Sequence, residues 1–85
     1  MSLRELLQHL PQEDQNYITQ RVQSCHRALI RDGGNDNRND HTAITHRYLR
    51  ERIIISGVVA SGHRDYYVIT FNNTGRQIIR VRHRC

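Results

Sequence analysis

The sequence predicts an α+β fold, with two N-terminal helices packed on a C-terminal three-stranded antiparallel β-meander. Three observations carry that reading. Ile18, Val22, Cys25 and Leu29 recur at spacings of four, three and four, drawing one apolar stripe along a helix. Residues 53–60, IIISGVVA, are β-branched and apolar, as a buried strand requires. In the final stretch, two β-branched and aromatic runs flank Asn72-Asn73-Thr74-Gly75, a hairpin signal.

The first helix is expected over residues 3–10. Ser2 and Glu5 have capping-box spacing, and Leu3, Leu6, Leu7 and Leu10 follow at helical intervals. Pro11 stops that helix and suits the start of the next. The second helix is expected over 12–31, with Glu13 and Asp14 near its positive end and Gly33-Gly34 as its stop. Residues 32–40, DGGNDNRND, read as a mobile polar loop. Residues 41–52 suit either a helix, capped by Asp40, or a strand; the helical reading is favoured here. Strands are expected at about 53–60, 66–72 and 76–84. The first of these is apolar on both sides, so a cover on both faces is expected. No linker or repeat divides the chain, which reads as one small domain of 85 residues.

The hairpin turn argues for a register. A three-residue loop at Asn73-Thr74-Gly75 pairs Phe71 with Gln77, Ile69 with Ile79, and Tyr67 with Val81. Alternation then puts Tyr67, Ile69, Phe71, Ile79 and Val81 on the core face. Tyr66, Val68 and Thr70 stand on the other face, opposite Arg82, Arg80 and Ile78.

Charge points to a class of partner. The chain carries +5, and its thirteen basic residues are all arginine. Residues 1–40 sum to −1 and residues 41–85 to +6, so the sheet half is the basic half. Such a field draws in anions, and the guanidinium fork grips phosphate or carboxylate bidentately. Arg64, Tyr66, Arg80, Arg82 and Arg84 are therefore the candidate nucleic-acid-binding residues, the tyrosine stacking on a base.

Other chemistries compete with this one. Cleaving RNA without a metal needs a base, a cation and an acid. His63, Arg64, Tyr66, Arg80, Arg82 and His83 supply these types, and Asp65 faces His83 in the expected register. A terminal meander ending in a basic strand is similar to RelE- and BrnT-type ribonuclease toxins. That resemblance covers the last third of the chain, and those families begin with a strand where this chain begins with helices. Cys25, His26, His41 and His46 offer four zinc-type ligands, but at no familiar spacing, so no metal and no cofactor is expected. Leu3, Leu6, Leu7 and Leu10 offer an apolar anchor for a larger protein.

The leading expectation is a non-enzymatic accessory or regulatory protein that binds a polyanion, most of all nucleic acid, through a basic Arg/Tyr sheet face. The alternative partner is an acidic protein surface, met by an inhibitor or adaptor of the kind encoded by phages and mobile elements. The C-terminal strand offers an edge for a homodimer. Neither a signal peptide nor a membrane span is legible, and two cysteines make no disulfide framework, so a cytoplasmic protein is expected.

Overall fold

The computed structural model describes residues 2–84 apart from Arg38 and residues 72–77, and describes 78–84 by their backbone. The architecture is α+β. Helices α1 (Leu3–Leu7) and α2 (Gln12–Arg31) precede strands β1 (Thr45–Leu49), β2 (Arg52–Val58), β3 (Arg64–Phe71) and β4 (Ile78–Arg84). The strands form one antiparallel sheet in the order β1-β2-β3-β4. The expected three-stranded meander is present, preceded by a fourth strand.

The helices form where the sequence places them. Ser2 caps α1 by accepting the Glu5 backbone N–H on its hydroxyl oxygen at 3.2 Å. This helix closes at Leu7, earlier than expected. The chain then turns through a Leu10 N–H to Leu7 carbonyl bond, and the Gln15 side chain donates to the Leu10 carbonyl. Pro11 is the residue before α2 and does not enter its first turn. The apolar stripe of α2 is fully formed: Ile18, Val22, Cys25 and Leu29 are all buried.

The C-terminus of α2 is a Schellman motif. Gly34 donates to the Leu29 carbonyl at 2.8 Å and Gly33 to the Ile30 carbonyl at 2.9 Å. Gly33 holds φ at +97°, and a Cβ there would lie 2.5 Å from the Cβ of Ala60. Glycine thus lets the helix end press against the β2–β3 turn, where Ala60 donates to the Asp32 carbonyl at 3.1 Å.

Residues 41–52 contain a strand, which overturns the helical expectation. Within Thr45–Leu49 exposure alternates, with His46 and Tyr48 turned inward and Thr45, Arg47 and Leu49 outward. Cross-strand pairing to β2 supplies what local propensity did not: His46 meets Ile55 and Tyr48 meets Ile53. The polar loop expected over residues 32–40 is bonded through its own side chains. Asp40 accepts from the Thr42 backbone and hydroxyl at 2.9 Å and from the Asn35 amide at 2.6 Å. A backbone bond from Ile44 to Asn35, 2.7 Å, closes the excursion. Polar side chains here stand in for secondary structure.

The core lies between α2 and one face of the sheet, where Leu29, Ile53, Ile55 and Ile69 have no exposed surface. Leu6, Leu7 and Leu10 are buried in the same cluster, with Leu3 packed against it. They close the core and do not form a free anchor, the use a domain this small has for its apolar residues. Among the described residues, no helix is long and apolar enough to cross a membrane.

Candidate functional site

The expectation of a cover on both sheet faces fails, and that failure defines the first candidate surface. Exposure alternates along β2 and β3: Ile53, Ile55, Tyr67 and Ile69 are buried under the helices, while Ile54, Ser56, Tyr66 and Val68 are half-exposed. Both helices pack on the same face. Pairing sets Arg47, Ile54 and Val68 in one row across the outward face, and Thr45, Ser56 and Tyr66 in the next. Arg52 and Thr70 extend it at one end, Val58 and Arg64 at the other. Arg47, Arg52 and Arg64 are exposed. The one carboxylate within β1–β3, Asp65, is turned to the opposite face and fully buried, its Oδ1 accepting the Tyr66 backbone N–H at 3.0 Å. Among the described strand residues, the outward charges are therefore all positive, set around a half-exposed tyrosine.

Of the residues singled out by sequence, Arg64 and Tyr66 fall on this face. Arg80, Arg82 and Arg84 do not pair as expected. The β3–β4 register sets Ile69 opposite Arg80, Tyr67 opposite Arg82 and Asp65 opposite Arg84, and Tyr66 opposite His83. This is one residue removed from the register argued from the turn, where Tyr66 met Arg82 and Asp65 met His83. The turn itself, 72–77, lies outside the described residues, as do the β4 side chains and Cys85. The arginines that sequence reasoning missed are Arg47 and Arg52. Assigning 41–52 to a helix hid the alternation that turns Arg47 outward.

A second cluster joins three parts of the chain. His26 on α2 contacts Asp36 in the loop through Nε2 at 2.6 Å. Its Nδ1 meets His46 Nε2 on β1 at 2.7 Å, and His46 Nδ1 meets the Tyr48 hydroxyl at 3.0 Å. These groups line an open cavity of about 730 Å³, together with Asp40, His41 and Ile44. The carboxylate only accepts, so with both rings neutral the network assigns the protons in one direction. His26 Nε2–H donates to Asp36, His46 Nε2–H donates to His26 Nδ1, and the Tyr48 hydroxyl donates to His46 Nδ1.

The histidine rings stand 4.9 Å apart at 80°, with their facing nitrogens on the line between them. That head-on contact is a hydrogen bond. Two nitrogens sharing a tetrahedral zinc ion would lie about 3.3 Å apart. Of the other candidate ligands, Cys25 is buried in the helix stripe and His41 is almost fully exposed beside Asp40. No group of three or more His, Cys, Asp or Glu among the described residues is arranged to hold a metal ion.

The Asp40 carboxyl, in the cavity wall, is held below its ordinary range. The Thr42 backbone N–H is the main cause and the Thr42 hydroxyl the next; partial burial opposes them, and His41 and Asn35 add smaller stabilisation of the anion.

Comparison with protein-family models, curated proteins and solved structures returns no match to this chain.

Proposed function

We propose that the chain is a non-enzymatic accessory protein that binds single-stranded nucleic acid on the outward face of its sheet. The observation that supports the reading is the charge and shape of that face: uncovered, rimmed by Arg47, Arg52 and Arg64, with Tyr66 between them and no strand carboxylate beside it. The open face of a sheet accepts splayed bases. An aromatic ring stacks on any base face, and arginines hold the phosphates on either side. Half-exposed Ile54 and Val68 supply apolar contact for the sugar and base edges.

The reading moves from the β4 arginines to Arg47, Arg52 and Arg64, because the register no longer brings Arg80 and Arg82 beside Tyr66. Fluorescence anisotropy of a labelled single-stranded oligonucleotide across a salt series tests it. Three phosphate contacts predict a log–log salt slope of about −2. Replacing Arg47, Arg52 and Arg64 with alanine should remove that slope, and Tyr66→Ala should weaken binding by about 1–3 kcal/mol at unchanged slope. Failure to bind at low salt, or a slope retained by the triple variant, would overturn the proposal. Absence of oligonucleotide binding with recovery of one acidic protein partner would assign the face to a protein surface instead.

A further inference from the structure

We propose that the His26–His46 contact is a one-proton latch that ties the edge strand β1 and the 35–44 loop to helix α2, and that acid opens it. The latch is independent of what the outward sheet face binds. Its geometry sets a limit on proton content. The line between His26 Nδ1 and His46 Nε2, 2.7 Å long, has room for one hydrogen. With both rings neutral that hydrogen belongs to His46, and every donor in the relay points towards Asp36. One added proton is accommodated by reversing the relay. His26 becomes an imidazolium that donates to both Asp36 and His46, and the His46 Nδ1–H turns towards the Tyr48 oxygen. A second added proton leaves both facing nitrogens carrying hydrogen, and two N–H groups cannot occupy that gap. The rings must part.

The consequence falls on defined elements. β1 is an edge strand of the sheet and pairs with β2. His26 is one of the side chains that fasten the helix layer to it, and Asp36 and Asp40 carry the loop into the same cavity wall. Several charged and titratable groups among the described residues line the cavities beside the pair. Asp36 and Asp40 face it from the loop with His41, Arg27 borders it from α2, and Tyr48 adjoins it on β1. The neighbouring β2 residues, Ile53 and Ile55, carry no charge. The conflict raised by the second added proton lies between the rings, so none of these groups relieves it.

Linkage fixes the sign and the steepness. The parted rings hold two added protons and the latched pair holds one. Falling pH therefore favours the open form, by up to tenfold per pH unit in the window where the second proton binds. Hydrogen exchange from pH 8 to pH 5, corrected for intrinsic rates, reads this directly on the full chain. Protection of the β1 amides should fall with pH by up to tenfold per unit while the β2–β3 ladder stays protected. His46→Gln should flatten the response, since the glutamine amide either donates to or accepts from His26 without titrating. Equal loss of protection in β1 and β3, or the same pH response in His46→Gln, would overturn the latch. A second reading needs no variant: nitrogen NMR of the wild-type histidines at pH 8 should find the proton on Nε2 of both rings. A proton on His26 Nδ1 would contradict the relay.

Discussion

Asp40 shows how one side chain organises a stretch without regular structure. Its carboxylate accepts from Thr42 twice and from Asn35 once, and these bonds favour the charged form. The carboxyl is lowered below its ordinary value of 3.8, so its contribution is present above that pH and is lost as pH falls through the lower, folded-state value. Carboxyl-carbon NMR should therefore find the Asp40 midpoint below 3.8; a midpoint at or above it would mean that the Thr42 bonds do not form. The histidine relay lies a few residues away, yet it could not be read in advance. His26 and His46 are twenty positions apart in sequence, and no spacing rule links them. A signal did exist: His26 follows Val22 by four, placing it on the flank of the buried stripe, and His46 and Tyr48 share one side of a strand.

At the scale of elements, legibility followed the number of independent signals. Helix α2 carries a periodic stripe, acidic residues at its start and two glycines at its end, and it forms over the expected residues. β1 spans five residues with no flanking glycine or proline, and its pairing partner decides its state. β2 is apolar on both sides, which suggested burial on both. The structure gives it one helical cover and leaves Ile54 and Val58 half-exposed. Register was the hardest feature to read. A slip of one residue exchanges every side-chain face, and the turn sequence admitted more than one loop. The packing of α2 against the β2–β3 turn gives a sharper expectation. Gly33 and Gly62 both have positive φ, but a Cβ at Gly62 meets nothing within 4 Å while one at Gly33 meets Ala60. Gly62→Ala should cost about 1 kcal/mol in urea unfolding, the ordinary penalty for that backbone region. Gly33→Ala should cost several times as much, because backbone must move as well. Equal costs would show that the helix end and the turn are not in the contact described.

The whole molecule is asymmetric. Among the described residues, two helices and the buried hydrophobic cluster lie on one side of the sheet, and the other side has no cover. Among the described residues, the apolar rows of β2 and β3 therefore remain at the surface among arginines. That arrangement, and not the alternation of arginines along β4, is what the nucleic-acid reading rests on. The isoleucines of β2 separate the two faces within one strand: Ile54 points outward, and Ile53 and Ile55 point into the core. Methyl NMR of the isoleucine- and valine-labelled protein, titrated with a single-stranded oligonucleotide at low salt, therefore tests the account most directly. It predicts the largest shifts at Ile54 and Val68, with Ile53, Ile55 and Ile69 nearly unmoved. Shifts centred on the helical side, or none at any position, would contradict it.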